Sequence, residues 1–364
     1  MKITVVCDAL GSLDNGTAIA ATALVRAMKK RGHEVVVVCS DEAKAGKEGY
    51  LVISRRGSRF GKRNFEKGIL EDAVWDSDAV HIMTPFMLGS AAVKLCKKHL
   101  IPVSADFYVQ TEGLHARLRP SRLTAANRVT YRRYYLNVYR YADAVRYPSE
   151  LSRNLFEKTV GHETKAYVIP NGVDGRFHPN GAQKPRALSD QFIILYCADY
   201  SREKNHGVLI DAAALSKYSD TIQLIFAGSG PMKSALKKQG MKLKNQPILT
   251  AYPYSQLPNL YNYADLYVHP ALVDMNASSC MEALACGLVP LIADSPRSAA
   301  KRFAPDGSNL FESRNAQALA DMIDRIIEQP EVLTTYREQY KGIVGELTQD
   351  VCMDRMEEML YDIR

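Results

Sequence analysis

The sequence predicts an α/β protein with two Rossmann-like, doubly wound parallel sheets, one in each of two domains that face each other across a cleft. Three observations predict this fold class. Short runs rich in Val and Ile alternate with longer helical patterns. The alternation stops at a polar segment and then restarts. The chain of 364 residues is also too long for one ordinary domain.

The first domain is assigned to residues 1–170. Apolar runs predict its strands, and they occupy residues 3–7, 34–40, 79–83, 102–108, 143–149 and 166–170. The stretches IAATALVRAMKKRGH, LGSAAVKLCKKHL and SELSRNLFEK carry the helical patterns that connect pairs of these strands. Because strands joined through a helix lie parallel, the order indicates βαβ units with strands buried on both faces.

A turn-forming segment, IPNGVD at 169–174, and the polar stretch after it predict the linker. The second domain, residues 176–344, has strands predicted at 192–198, 222–228, 247–252, 265–270 and 289–294. A helix is predicted from Asn205 to Ser216, and the chain reads as helical from Gln317 onward. The last helix, about residues 345–364, is expected to pack back on the first domain.

Composition places the chain among soluble proteins of a reducing compartment. It is 46% apolar and 24% charged, and it has no run of about 20 uncharged apolar residues that would span a membrane. The strand-like start MKITVVCD lacks the pattern of a signal peptide, so none is expected. The seven cysteines are odd in number and form no CxxC pair, so buried free thiols are expected rather than disulfides or a zinc site.

Positive charge is concentrated in the first half. Residues 1–180 carry 28 Lys and Arg against 18 Asp and Glu, whereas the remainder carries 19 against 22. Two segments, 54–67 and 117–141, mix these cations with aromatic residues, which suits an anionic membrane surface. Nucleic acid and an ordinary solvated surface are the alternatives. The residues assigned to acceptor or membrane contact are Arg55, Arg56, Arg59, Phe60, Lys62, Arg63, Arg117, Arg119 and Arg122.

Three loops at the carboxyl ends of predicted strands are candidates for binding a phosphorylated ligand. They are the glycine-bearing LGSLDNGTAIAATALV at 10–25, SREKN at 201–205 and FAGSGP at 226–231. Ligands of open α/β sheets bind at this edge, where glycines admit a ligand and cations neutralise a diphosphate. Each loop taken alone also fits an ordinary turn.

The stretch DMNASSCMEALACG at 274–287 places two acids eight residues apart around a predicted helix start. Asn276, Ser278 and Ser279 are candidate N-caps, and the free N–H groups of the first turn favour an anion. Glu282, one turn into an apolar helix, could accept hydrogen bonds from ligand hydroxyls. Alternatively, it faces solvent and is stabilised by the helix dipole.

The sequence has no other catalytic or metal-binding motif in a position where it could act on a ligand. WDSDAV at 75–80 matches a DxD metal pattern but precedes a parallel strand, which is the wrong edge for a ligand. No HExxH, Walker A or GxSxG pattern occurs.

With these residues assembled, the chain resembles the retaining GT-B glycosyltransferases of family 4 over nearly its whole length. The segments that carry the resemblance are KRGHEVVVV, YVIPNGVDGRFHP, SREKN, FAGSGP, YADLYVHPA and MEALACGLVPLIAD, in that order. Within the family it looks most similar to bacterial diacylglycerol glucosyltransferases. The segments that suggest this are VHIMTPFMLG, FYVQTEG, DSPRSAAKRFA and SKYSDTIQLIFAGSGP.

The resemblance implies a UDP-sugar donor, UDP-glucose first, bound mainly by the second domain without a metal or cofactor. Glu282 matches the second acid of the E-x7-E motif, which binds the ribose, and Asp274 matches the first, which contacts the transferred sugar. Lys204 matches the lysine that binds the diphosphate, and Gly16 lies in the loop that approaches the same phosphates. The donor-binding residues so assigned are Gly16, Asp199, Arg202, Lys204, Gly228, Gly230, Asp274, Asn276, Ser278, Ser279 and Glu282.

Three residues depart from the family pattern. Asp274 is one methylene shorter than the Glu that the family usually has at this position. Asp199 occupies the position of the arginine that binds the diphosphate in the family. Tyr108 replaces a histidine of the first domain. The resemblance still implies a cytoplasmic enzyme on the inner face of the plasma membrane. It would move a hexose from a UDP-sugar to a lipid hydroxyl such as diacylglycerol, with Lys204, Asp274 and Tyr108 as catalytic residues.

Two other functions remain open at the sequence level. One is a glycosyltransferase that acts on a soluble or polyprenyl-linked glycan. The other is a catalytically weak or inactive protein that binds sugar nucleotides, which the three departures make plausible.

Overall fold

The structure is a computed structural model that describes residues 1–8, 16–53, 67–108, 120–304 and 306–364. The side chains at 16, 67 and 120–125 lie outside this description. The chain forms two compact units: Met1–Asn171 together with Cys352–Arg364, and Gly172–Val351. The second unit is therefore contiguous in sequence, whereas the first is assembled from both ends of the chain.

The first unit contains, within the described residues, a seven-stranded parallel sheet of order β3-β2-β1-β4-β5-β6-β7. Its strands are β1 Lys2–Cys7, β2 Glu34–Cys39, β3 Tyr50–Val52, β4 Ala79–Ile82, β5 Val103–Asp106, β6 Ala144–Tyr147 and β7 Ala166–Val168. All six strands predicted for this half are confirmed. The strand β3 was not predicted, because it is a three-residue edge strand without a buried side chain.

Helices cover both faces of this sheet. They are α1 Gly16–Lys30, α2 Lys67–Trp75, α3 Met87–His99, α4 Pro120–Asn137 and α5 Glu150–Val160. The last four supply buried residues to one core, whereas α1 packs in a second core on the other side. Strands between two such cores must be apolar throughout, which explains their Val- and Ile-rich sequences.

The start of α3 is clamped by a buried acid at the end of β1. The Asp8 carboxylate accepts hydrogen bonds from the N–H groups of Leu88 at 3.1 Å and Gly89 at 3.4 Å. It also accepts from the Thr84 hydroxyl at 3.0 Å. A carboxylate satisfies first-turn donors and complements the helix dipole, so Asp8 fixes α3 relative to β1.

The second unit contains, in its described residues, a six-stranded parallel sheet of order β10-β9-β8-β11-β12-β13. The strands are β8 Phe192–Cys197, β9 Ile222–Ala227, β10 Ile248–Thr250, β11 Leu266–His269, β12 Pro290–Asp294 and β13 Leu310–Glu312. The helices are α6 His206–Leu215, α7 Lys233–Gly240, α8 Leu257–Tyr263, α9 Ser278–Ala285, α10 Ala316–Glu328 and α11 Glu331–Glu346. The five strands predicted here are confirmed, and the short β13 is an addition.

The last helix, α12 Gln349–Asp362, belongs to the first unit. Its apolar face is buried in the same core as α1, through Cys352, Met353, Met356, Met359 and Leu360. On its polar face, Glu357 lies 2.7 Å from the ring of His33.

The prediction of buried thiols is confirmed, because all seven cysteines are free and buried. Among the described residues, no helix is both long and apolar enough to cross a bilayer.

Candidate functional site

The candidate site of the second unit is built on two loops that follow neighbouring strands. The loop after β8 forms a short 3₁₀ turn, Arg202–Lys204, and Asn205 ends it in the left-handed region at φ 53°. The loop after β11 carries Asp274. A backbone hydrogen bond of 2.8 Å from Leu272 to Glu203 joins the two loops. Lys204 Nζ consequently lies 2.9 Å from Asp274 Oδ2.

Both carboxylate oxygens of Asp274 already have partners. Oδ1 accepts from the N–H groups of Ala277 at 2.8 Å and Asn276 at 3.3 Å. Oδ2 is held by Lys204 and lies 3.4 Å from Nε2 of the buried His269. Burial alone would raise the pKa of Asp274, but Lys204 and His269 hold it well below its usual value. The acid is therefore ionised and fixed in place.

The expectation that Asn276, Ser278 or Ser279 caps helix α9 is wrong. The N-cap is Ala277, which adopts a left-handed conformation at φ 57° and makes no side-chain capping bond. The Asp274 carboxylate bonds the backbone ahead of the helix instead, so the two serines fall inside the first turn. The Asn276 amide donates to the Ser278 hydroxyl, and Ser279 Oγ accepts from Tyr267 at 2.8 Å.

The first turn of α9 has backbone N–H groups that are available to a ligand. Within the described part of the chain, the N–H groups of Ser278 and Ser279 make no hydrogen bond. These groups carry the partial positive charge of a helix N-terminus. Together with Lys204, they make this edge of the sheet suited to an anion.

Glu282 lies one turn further along α9 and is half-buried. Its two carboxylate oxygens accept hydrogen bonds from the hydroxyls of Tyr261 at 3.0 Å and Tyr254 at 3.3 Å. Burial raises the pKa of Glu282 to about 7, although the two tyrosines oppose this shift. Glu282 is thus a positioned acceptor that tyrosines hold from two sides, and not a freely solvated helix residue.

Contacts within the protein itself require glycine at positions 228 and 230. A Cβ atom on Gly228 would lie 2.1 Å from the carbonyl oxygen of Ala198. Gly230 adopts φ 151°, and a Cβ there would lie 2.7 Å from the carbonyl oxygen of Tyr200. The loops after β8 and β9 therefore touch through their backbones, and this contact positions the chain that leads into Lys204.

The side chains of Asp199 and Arg202 are exposed. No ion pair joins them in the described part of the chain. Because Asp199 lies in solvent, its reversed charge is strongly screened.

Tyr108 lies in the first unit, just beyond β5, where its hydroxyl oxygen accepts a hydrogen bond of 2.7 Å from Arg146. Burial raises the pKa of Tyr108, so its hydroxyl keeps its own proton at neutral pH. Arg146 also donates to Asp106 at 3.0 Å, and His81 Nε2 lies 3.2 Å from the other oxygen of that acid. Although burial opposes it, the two bases hold the pKa of Asp106 below its usual value.

Sequence reasoning missed this buried cluster. Arg146 also donates to the carbonyl oxygens of Ile169 and Pro170 and to the side chain of Asn171, each at 2.8 Å. The available signal was the presence of His81, Asp106 and Arg146 in three buried strands, AVHI, VSAD and AVRY. Only the order of the strands brings these residues together.

Several predicted residues fall partly or wholly outside the described structure. Gly16 is the first residue of α1, and Arg122 lies in α4 with its side chain outside the description. The acceptor or membrane residues outside the described ranges are Arg55, Arg56, Arg59, Phe60, Lys62, Arg63, Arg117 and Arg119.

The acids of WDSDAV have structural partners at the amino edge of the first sheet. Asp78 accepts a hydrogen bond of 2.8 Å from the Lys2 N–H, and Asp76 pairs with the Lys2 ammonium. Among the described residues, no three His, Cys, Asp or Glu side chains are grouped so that they could hold a metal ion.

Comparison with known proteins finds glycosyltransferase profiles that together match most of the chain. The profile "Glycosyltransferase Family 4" matches residues 14–176, and "Glycosyl transferases group 1" matches residues 179–342. The alpha-monoglucosyldiacylglycerol synthase of Streptococcus pneumoniae is 25% identical over 318 residues, covering 80% of this chain and 71% of that protein. The protein of the same name from Acholeplasma laidlawii is 23% identical over 371 residues, covering 92% and 90%.

A solved structure supports the fold independently. HepE from Anabaena, determined in complex with UDP, covers 100% of both chains with a TM-score of 0.77 and 17% identity. Two parallel-sheet α/β units, matched in turn by the two glycosyltransferase profiles, define the architecture called GT-B. The chain therefore belongs to the GT-B glycosyltransferases, with a family 4 domain followed by a group 1 domain.

Proposed function

We propose that this glycosyltransferase moves a hexose, glucose first, from a UDP-sugar to a membrane lipid hydroxyl such as that of diacylglycerol, with retention of the anomeric configuration. One observation carries the proposal: the Lys204–Asp274 pair stands beside the free N–H groups of α9, with Glu282 one turn away. The two diacylglycerol-glucosylating relatives support the acceptor. HepE, solved with UDP-glucose, supports the donor.

The donor is held by charge and by hydrogen bonds to hydroxyls. Lys204 and the N–H groups of Ser278 and Ser279 would stabilise the diphosphate, which gains a further negative charge as its bond to C1 breaks. Glu282 would accept hydrogen bonds from the ribose diol, because a carboxylate can bind two neighbouring hydroxyls. Tyr254 and Tyr261 already hold this carboxylate in place.

Asp274 would act on the donor chiefly through its neighbours. Its oxygens are taken by Lys204 and by the backbone ahead of α9, so it positions both anion-binding groups. Direct contact with the sugar hydroxyls, which the family motif implies, remains a prediction. It requires Oδ2 to be shared between Lys204 and the sugar.

Retention is proposed to follow from attack on the same face of the sugar that the diphosphate leaves. The bond from C1 to the diphosphate oxygen breaks, the acceptor oxygen bonds to C1, and the acceptor proton passes to the leaving phosphate. The enzyme then has to position the substrates and stabilise charge. Tyr108 would donate its proton in a hydrogen bond to a substrate oxygen, since its own oxygen accepts from Arg146.

The deciding experiment measures UDP release and product mass with UDP-glucose and vesicles that contain diacylglycerol. We expect a hexosyl-diacylglycerol with the α configuration by NMR, at a rate that EDTA does not change. Transfer only to a soluble or polyprenyl-linked glycan would replace the proposed acceptor. UDP binding without turnover on a panel of donors would instead identify a non-catalytic sugar-nucleotide-binding protein.

A further inference from the structure

The buried cluster around Arg146 lies at the carboxyl edge of the first sheet. Arg146 is in β6 and is only 3% exposed. A guanidinium has five N–H groups, and each of them here donates a hydrogen bond of 3.0 Å or less. The guanidinium is therefore held in one orientation. The acceptors are the carbonyl oxygens of Ile169 and Pro170, the side chain of Asn171, the Asp106 carboxylate and the Tyr108 hydroxyl.

The charge of Arg146 is balanced by Asp106, which is buried. Asp106 Oδ2 accepts from Arg146, and Oδ1 lies 3.2 Å from His81 Nε2. The other ring nitrogen of His81 lies 2.9 Å from the Ser104 hydroxyl. Buried ion pairs generally stabilise a fold no better than well-packed apolar side chains of similar volume. Stability of the fold therefore does not explain why these apolar strands contain a charged cluster.

One partner of Arg146 is a hydroxyl group that has a proton of its own to donate. Arg146 Nη1 donates to the Tyr108 oxygen at 2.7 Å, and the guanidinium carbon lies 5.3 Å from the centre of the Tyr108 ring. The Tyr108 hydroxyl donates to no residue that the structure describes. Because Arg146 occupies the accepting side of the oxygen, the O–H bond is directed away from the guanidinium. The adjacent cation also polarises the hydroxyl, which strengthens it as a hydrogen-bond donor.

Tyr108 is placed where a ligand can reach it. It follows the end of β5 by two residues and is half-buried, at the edge of the sheet where open α/β sheets bind their ligands. Burial raises the pKa of Tyr108, and Arg146 opposes only part of that rise, so the proton is shared in a hydrogen bond and not given up. The ligand chemistry that fits such a donor is a hydroxyl oxygen, as in a sugar or an alcohol.

We propose that Arg146 is a positioning residue of the transfer reaction, which holds the Tyr108 oxygen so that the Tyr108 proton is presented to a hydroxyl oxygen of a bound substrate. The hexose of the donor and the acceptor alcohol both offer this chemistry, and the experiment below distinguishes them. The inference rests on the proposed function, because it requires a sugar transfer. It adds to that function a buried residue that acts on the substrate only through another side chain.

A double-mutant cycle tests whether Arg146 acts through Tyr108. In the full-length protein, Y108F removes the hydroxyl, R146K keeps the charge but not the guanidinium geometry, and R146K/Y108F combines both changes. Titration calorimetry measures the affinities for UDP-glucose and for UDP, and UDP release measures transfer to diacylglycerol in vesicles. The control Y139F removes another buried tyrosine hydroxyl, which donates to the Asp106 carbonyl at 3.0 Å.

We expect Y108F and R146K each to lower kcat/KM about tenfold, the contribution of one hydrogen bond from a polarised donor. In the Y108F background, R146K should change kcat/KM by less than about twofold, because the group through which it acts is already absent. Y139F should lower the melting temperature and keep wild-type kinetics. If the proton reaches the hexose, affinity for UDP-glucose falls and affinity for UDP does not; if it reaches the acceptor, only transfer falls.

Losses that multiply in the double variant, or an equal loss in Y139F, would overturn the role of Arg146. Circular dichroism checks the fold of every variant. If R146K does not fold, N171A repeats the cycle, because it removes an acceptor that holds the guanidinium at 2.8 Å. A wild type that neither binds nor turns over UDP-glucose would overturn the proposed function and this inference with it. Multiplying losses in an active enzyme would overturn this inference alone.

Discussion

We expect Lys204 to have two roles, one in catalysis and one in stability, which a single and a double substitution together can separate. Lys204→Met removes the cation proposed to stabilise the leaving diphosphate, so kcat/KM should fall about 10²- to 10³-fold. The same change leaves the largely buried Asp274 without its ammonium partner. The free energy of unfolding should therefore also fall, by about 2 kcal/mol. Steady-state kinetics and urea denaturation measure the two effects.

The double variant K204M/D274N is the matched control. The amide oxygen of Asn can still accept from the N–H groups of Asn276 and Ala277, while the unpaired charge is removed. Stability should largely return, whereas activity should not. Recovery of activity together with stability would show that Lys204 acts only through the fold.

Glu282 should make donor binding depend on pH near neutrality. Its pKa is raised to about 7, and a ribose diol donates hydrogen bonds to the ionised form. Affinity for UDP-glucose, whose diphosphate does not titrate in this range, should therefore increase as the pH rises from about 6 to about 8. Titration calorimetry across this range tests the expectation, and Glu282→Gln should give a flat profile. A wild-type profile as flat as that of the variant would separate Glu282 from the donor.

Ionisation of Glu282 also has a consequence for stability. Its pKa in the folded protein lies above that in the unfolded chain, so the folded state binds more protons between the two values. The contribution of Glu282 to stability is full below the unfolded pKa and is lost as the pH rises through about 7. Donor binding and stability therefore respond to this one group in opposite directions.

At the scale of elements, the contact between the loops after β8 and β9 should control the donor site from a distance. Gly228→Ala places a Cβ 2.1 Å from the Ala198 oxygen, so one loop must move. Overpacking of this kind costs about 1–3 kcal/mol. Because the chain from Ala198 leads into the turn that carries Lys204, the KM for UDP-sugar should rise about tenfold or more.

Gly342, inside α11, provides the control for this prediction. A Cβ there would meet no atom within 4 Å. Gly342→Ala should therefore stabilise the helix by about 0.5–1 kcal/mol and leave donor affinity unchanged. Wild-type UDP affinity in Gly228→Ala would mean that the loop contact has no part in positioning Lys204.

The sequence predicts the elements best where they are buried on both faces. β1, β4, β8 and β9 are nearly continuous apolar runs, and their positions agree with prediction within one or two residues. The edge strands β3 and β13 were missed because each has three residues and little burial. Local sequence also could not identify Ala277 as the N-cap of α9, since the bonds that replace a cap come from Asp274.

In the candidate site, too, some residues could be predicted from the sequence and others could not. Lys204, Asp274 and Glu282 could be proposed from motifs, because the carboxyl edge of a parallel sheet is set by topology. The buried contacts of Arg146 with Asp106 and Tyr108 could not, since they depend on which strands are neighbours. Strands β4, β5 and β6 lie side by side, and this order brings His81, Asp106 and Arg146 together.

At the scale of the whole molecule, the first unit should depend on the far end of the chain. Helix α12 buries five apolar side chains in its core. Such side chains contribute about 1.5–3 kcal/mol each, so their sum rivals the roughly 5–15 kcal/mol that stabilises a typical domain. A chain truncated after Val351 should lose residues 1–171 rapidly to limited proteolysis, as followed by mass spectrometry.

Removing only Arg364 is the control, because this residue follows the last helical turn, is exposed, and pairs through its side chain with Asp78 at the surface. That variant should resist the protease like the full chain. Equal resistance of the chain cut after Val351 would contradict the role given to α12.

The contiguity of the second unit has a consequence for how such enzymes can be recombined. Both ends of Gly172–Val351 meet inside this unit, where Val173 N–H donates to Leu347 at 2.7 Å and Gln349 N–H donates to Val173 at 3.0 Å. A gene segment that encodes Gly172–Val351 therefore also encodes the hydrogen bonds that join the two ends of this unit. One exchange with two junctions therefore replaces the whole unit that is proposed to bind the nucleotide sugar and leaves the first unit unchanged.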